Sequence, residues 1–161
     1  MNILEFAINM ELDGEKYYTE QAEINKDNFL KTVFLMLATD ERTHAKILQN
    51  KSSQLNYDLR QNEMLSQTKN VFNNLPDIKN EIKQIANQLD TYRLALKNEK
   101  ESISLYQKLL SDAMDDESKR LFKYLLQQEE NHYEIIDQLI ILINHSEEWV
   151  EAAEFGLRKE Y

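Results

Sequence analysis

The chain contains no cysteine, only two glycines, one proline and one tryptophan. Without cysteine there can be no disulfide, thiolate-held metal or iron–sulfur cluster, which agrees with a reducing cytoplasm. So few glycines and prolines starve the chain of turn residues. The abundance of Leu, Glu, Lys, Gln and Ile points instead to a few long helices. Positive charge is short as well: 19 Lys and Arg stand against 29 Asp and Glu, for a net charge of −10. A nucleic-acid surface depends on clustered Lys and Arg, so none is expected. Long apolar runs are also missing. The run at residues 139–143 falls far below the about 20 residues that a spanning helix needs. The start, Met1-Asn2-Ile3-Leu4-Glu5-Phe6, reaches an acid at once and lacks the basic opening of a secretory signal. The expected protein is soluble and cytoplasmic, without a membrane partner. Its 161 residues suffice for one domain, residues 1–161, with a sizeable core.

What the chain does hold is a four-residue constellation, present twice. Glu11, Tyr18, Glu41 and His44 recur 88 residues later as Glu99, Tyr106, Glu129 and His132. In each copy a lone Glu precedes a Glu-x-x-His by thirty residues, and a Tyr follows that lone Glu by seven. With 19 Glu, 8 Tyr and 3 His in the chain, chance yields such a match with a probability on the order of 10⁻⁵ at one offset and roughly 10⁻³ over all offsets. A single Glu-x-x-His is weak. The doubled set is strong.

The spacing predicts a first helix over residues 2–24, with Leu4, Ala7, Ile8, Glu11, Tyr18 and Ala22 on one stripe. Gly14 sits within it. An interior helical glycine costs roughly 1 kcal/mol against alanine, so it marks either a close approach of backbone or ligand, or a tolerated glycine. Residues 25–28 read as a turn, with Asp27 or Asn28 available to cap the next helix. That second helix turns Phe34, Leu37, Ala38, Glu41, His44, Ile47 and Leu48 inward. Glu11 and Glu41 each lie about 15 residues from the turn, ~22 Å along an antiparallel pair, and therefore at one height. Residues 52–89 form a long crossover, broken around residues 73–77 by Pro76 and flanked by short helical pieces. Such a crossover leaves room for hairpins to exchange between two protomers.

A third helix is expected over residues 89–113, with Tyr92, Ala95, Leu96, Glu99, Ile103, Tyr106 and Leu110 inward. Met114-Asp115-Asp116 makes the second turn, its Asp pair a natural N-cap. The fourth helix carries Leu121, Leu125, Gln128, Glu129, His132, Ile136 and Leu139. The run at residues 139–143 is apolar nearly all round, which suggests burial on more than one side. Ser146-Glu147-Glu148-Trp149 then signals a short C-terminal helix whose Trp149, Val150, Ala153 and Phe155 cover that end. The expected fold is all-α: a four-helix bundle of two helical hairpins, with a long crossover and a short last helix.

In such a bundle four carboxylates and two imidazoles converge. Buried carboxylates crowded together are costly, so cations or protons must join them. Two divalent ions balance Glu11, Glu41, Glu99 and Glu129, with His44 and His132 as neutral donors. Oxygen-rich ligands with one imidazole per metal suit iron or manganese; zinc prefers fewer carboxylates and remains an alternative. A pair of iron ions would leave open positions for dioxygen or peroxide and supply two electrons together. Tyr18 and Tyr106 either hydrogen-bond a ligating carboxylate or the bound oxygen species, or serve as half-buried packing residues.

At these residues the chain resembles the ferritin-like di-iron superfamily, and within it the rubrerythrin group. The resemblance runs from about residue 2 to residue 145 and includes the Glu11-x-x-Gly14 and Tyr17-Tyr18 spacing. It implies that Glu41 and Glu129 bridge the metals, while Glu11 with His44 and Glu99 with His132 are terminal ligands. Rubrerythrins also carry a rubredoxin-like iron site of four Cys, absent here, so electrons must come from an external donor protein. They place an extra carboxylate three residues from the lone Glu of the third helix. Here Leu96 and Ser102 flank Glu99, and Glu101 faces elsewhere.

The expected function is a di-iron oxidoreductase that reduces peroxide or dioxygen, or a ferroxidase; the alternative is a non-catalytic iron-binding or storage protein. A homodimer is the expected assembly. His145 reads as a surface or capping residue, Glu130 as part of a solvated face, and Glu15 as an exterior or supporting residue.

Overall fold

The computed structural model describes residues 2–73 and 86–154, with residues 86 and 145–154 described by backbone alone. Among them are five α-helices: α1 (Ile3–Ile24), α2 (Leu30–Ser52), α3 (Met64–Asn73), α4 (Leu89–Asp112) and α5 (Asp116–Glu154). A single 3-10 turn, Ala86–Gln88, precedes α4, and no strand occurs among the described residues.

Local chemistry sets the helix ends. Asn2 caps α1, its Oδ1 accepting from the Glu5 amide at 2.8 Å. Asn25 closes the helix by donating from Nδ2 to the Gln21 carbonyl at 2.8 Å. Asn28 then donates to Asn25 Oδ1 at 2.9 Å and accepts from the Leu30 amide at 2.9 Å. Neither Asp27 nor Asn28 is the N-cap of α2, which is Phe29, but Asn28 one residue ahead bonds the first amide of the helix. At the second turn Asp115 accepts from the Ser118 amide at 2.9 Å, as the Asp-rich sequence there predicts. That bond holds the Asp115 carboxyl below its ordinary range.

The chain divides into two compact units, residues 1–64 with 106–126, and residues 65–105 with 127–161; α4 and α5 each contribute to both. In the first unit α1 and α2 pack as an antiparallel hairpin, with Tyr18 stacked on Phe34 and, further from the turn, Glu11 beside His44. Its core includes Ala7, Ala22, Leu30, Val33, Phe34, Leu37 and Leu48. The irregular stretch after α2 is pinned rather than loose. Tyr57 donates to Glu117 at 2.8 Å, and Tyr124 donates to the Arg60 carbonyl at 2.6 Å. In the second unit Tyr92, Ala95, Ile135, Ile136, Leu139 and Ile143 are buried, and Lys69 pairs with Glu134 at 2.9 Å.

Two expectations change. The separate short helix from Ser146 does not form, because α5 runs unbroken from Asp116 to Glu154. No Pro or Gly interrupts those residues, and extending an existing helix adds a hydrogen bond per residue without a new nucleus. The apolar run at 139–143 is not buried all round: Ile141 is 51 % exposed, while Leu139 and Ile143 are sealed. Pro76 with residues 74–77, and the side chains of His145, Trp149, Val150, Ala153 and Phe155, lie outside the described residues.

Phe34 is fully buried against Tyr18, so Phe34→Ala is expected to cost about 3–5 kcal/mol, read from the urea midpoint at constant m. Burial, and then the bond to Glu117, pushes Tyr57 from its ordinary 10.0 up to about 12. A phenol whose pKa rises on folding contributes fully below the unfolded value and loses its contribution as pH climbs through the folded one. Absorbance titration of the phenolates should therefore include a late-ionising component that Glu117→Gln brings down.

Candidate metal centre

Three consecutive facts of helix geometry build the first ligand group. Glu41 and His44 lie three residues apart on α2 and share one face. The antiparallel hairpin sets α1 opposite, and Glu11 occupies the facing stripe. Glu11 and His44 are 0 % exposed and Glu41 is 4 % exposed. One ligand atom from each lies within 4.8 Å of the others, with His44 Nδ1 3.5 Å from Glu11 Oε2. Tyr106, fully buried, donates its phenolic hydrogen to Glu11 Oε1 at 2.6 Å, a short charge-assisted contact that orients this carboxylate.

Two residues around His44 were not singled out in the sequence. Asp40, buried one turn before His44, places Oδ2 3.5 Å from His44 Nε2, on the ring edge away from Glu11. Asn62, in the irregular stretch, donates to Asp40 Oδ1 at 3.0 Å while accepting from the Met64 amide at 3.1 Å. A carboxylate beside the outer imidazole nitrogen orients the ring and raises the basicity of the inner one. The i, i+4 spacing of Asp40 and His44 was a readable signal; Asn62 offered none, since only tertiary folding brings it there. Tyr124 closes the far side edge-on, its ring centroid 6.3 Å from that of His44.

The second unit repeats the ligand group. Glu99 is 5 %, Glu129 1 % and His132 0 % exposed, and a ligand atom of each lies within 4.8 Å of the others. His132 Nδ1 stands 3.6 Å from Glu99 Oε1 and 3.5 Å from Glu129 Oε2. The six acids and imidazoles singled out in the sequence thus fall into two buried Glu/Glu/His triads. Of the two tyrosines, Tyr106 donates to Glu11, and the Tyr18 ring stacks on Phe34 at 6.0 Å and meets Tyr17 edge-on at 5.2 Å. Glu130 and Glu101 are exposed, and Glu15 pairs with Arg42.

The donor set fits a divalent cation. Each triad buries two carboxylates beside one imidazole, and enclosing two like charges costs several kcal/mol per ion without a counter-charge. One cation of charge +2 per triad neutralises both acids, and two oxygens with one nitrogen suit iron or manganese.

Buried carboxylates and imidazoles on long helices make an all-α protein whose interior acids and imidazoles could hold a metal ion. A family model for rubrerythrin matches residues 2–140, so the chain belongs to the rubrerythrin family, and its fold is the all-α ferritin-like helical bundle. The match spans both triads and both tyrosines. No curated protein and no solved structure matches the chain.

Asp40→Asn keeps the shape but removes the charge beside His44. It should weaken metal binding by roughly 10–100-fold in anaerobic titration with Fe(II), while Asp13→Asn on the exposed face leaves affinity unchanged.

Proposed function

We propose that the two triads together hold a pair of iron ions, and that the protein is a di-iron carboxylate oxidoreductase reducing peroxide or dioxygen with electrons from another protein. The observation that carries this reading is the burial of the same Glu/Glu/His set twice, in a chain of the rubrerythrin family. Two divalent ions match the four carboxylates in charge, and each ion gains one imidazole. Glu11, Glu41 and His44 would hold one ion, and Glu99, Glu129 and His132 the other. An iron pair, when bound, supplies two electrons together, as cleavage of an O–O bond requires. Around it the chain's own groups have separate tasks. Tyr106 keeps the Glu11 carboxylate oriented through its phenolic hydrogen bond, and Asp40 holds the His44 ring. Their burial keeps bulk water from competing for the ligand oxygens.

These 161 residues contain no cysteine and hence no rubredoxin-like iron site, so a separate donor protein is the proposed electron source. A second reading in the same site is oxidation of Fe(II): the family resemblance places an extra carboxylate three residues from Glu99, and Leu96 and Ser102 stand at those positions. The proposed setting is cytoplasmic and the proposed assembly a homodimer. No helix among the described residues is long and apolar enough to cross a membrane.

Protein purified without added metal should carry iron, and Glu41→Ala or Glu129→Ala should each lose metal and most activity. Full metal content in both variants contradicts the ligand assignment. Stopped-flow mixing of the reduced protein with peroxide and with dioxygen separates the two enzymatic readings, and binding of iron without turnover leaves only the non-catalytic alternative.

A further inference from the structure

Gly14 lies in the interior of α1, three residues beyond Glu11. Glycine is a poor helix former there, and a helical backbone does not need its conformational freedom. What the position does need is space. A Cβ built on Gly14 would stand 2.5 Å from Glu41 Oε2, 3.1 Å from its Cδ and 3.4 Å from its Cγ. Real side chains do not approach so closely, so the Glu41 carboxylate occupies volume that any other residue would fill. Glu41 is also buried, and its carboxylate has no open solvent into which to retreat. At the matching position of the second copy stands Ser102, whose Oγ donates to the Asn98 carbonyl at 3.1 Å. The side-chain-free cradle is therefore not repeated.

We infer that Gly14 is a positioning residue for Glu41: the missing side chain on α1 sets where the carboxylate stands, and so sets the metal affinity of the Glu11/Glu41/His44 triad. This rests on the metal-centre reading given above. The atom that meets the added Cβ is the tip of a flexible side chain. Alanine at position 14 is therefore accommodated by swinging Glu41 aside, not by parting the helices. The fold survives and the triad opens. A residue that merely packed α1 would lower stability and leave metal binding alone.

The test uses the full chain, stripped of metal by chelation and titrated anaerobically with Co(II), whose d–d absorption reports both affinity and ligand set. Gly14→Ala should retain its helical circular dichroism. Its metal-free Tm should hold or rise by about 2–4 °C, as expected when alanine replaces an interior helical glycine. Its Co(II) affinity at one position should fall about tenfold or more, the loss expected when a ligand is pushed off its preferred rotamer. The decisive comparison is with Glu41→Asp, which is one methylene shorter and withdraws from the added methyl. In that background Gly14→Ala should change affinity less than about threefold, a coupling of the kind shown by contacting residues. Unchanged Co(II) affinity in Gly14→Ala overturns the inference while leaving the metal centre intact. Equal losses in both backgrounds also overturn it, since Gly14 would then act on something other than the Glu41 carboxylate. A wild-type chain that binds no Co(II) or Fe(II) fails the metal-centre reading itself, and the inference falls with it.

Discussion

Glu11 and Glu41 lie buried beside His44, and Glu99 and Glu129 beside His132. Like charges so close together in a poorly hydrated interior oppose folding unless a cation or a proton joins them. Residues chosen for packing alone would be apolar here, as they are one turn away at Leu37, Leu48, Leu125 and Ile136. The acids therefore spend stability on chemistry, and the surrounding apolar core offsets that cost. This tension explains why the buried polar groups come in sets.

The architecture holds those sets with few parts. A helix offers Glu and His from one face only at three- or four-residue spacing, so Glu41 with His44 and Glu129 with His132 follow from helical pitch. The third member must come from another helix. In the first unit the asparagine-built turn between α1 and α2 fixes the register that brings Glu11 across. The irregular stretch after α2 contributes as well, because Tyr57 and Tyr124 pin it where Asn62 can reach Asp40. Hydrogen bonds thus run from the start of α3 through Asn62 to Asp40, whose other carboxylate oxygen lies 3.5 Å from the His44 ring.

The two copies agree where a metal would touch and differ around it. Ligands need the same atoms at the same spacing, so the acids and imidazoles match at an offset of 88 residues. Their supports are freer. Asp40 is answered by Gln128, a buried carboxamide that carries a dipole and no charge. Gly14 is answered by Ser102. A carboxylate beside an imidazole makes it the stronger donor, and His44 has one in Asp40.

The helices, their approximate ends, the inward faces and all six ligand candidates could be read from the amino-acid order. Each depends on periodicity, capping chemistry or short spacing along one helix, and local interactions decide these. Asn28 rather than Asp27 as the partner of the first α2 amide, the continuity of α5 past Ser146, and the exposure of Ile141 could not be read in the same way. There two local preferences competed, or one apolar run had a single packed side. Asn62 beside Asp40, Tyr106 on Glu11 and the Glu41 carboxylate over Gly14 belong to the tertiary structure. Each joins residues remote in sequence and turns on a distance of a few tenths of an ångström that no pattern of residue types encodes.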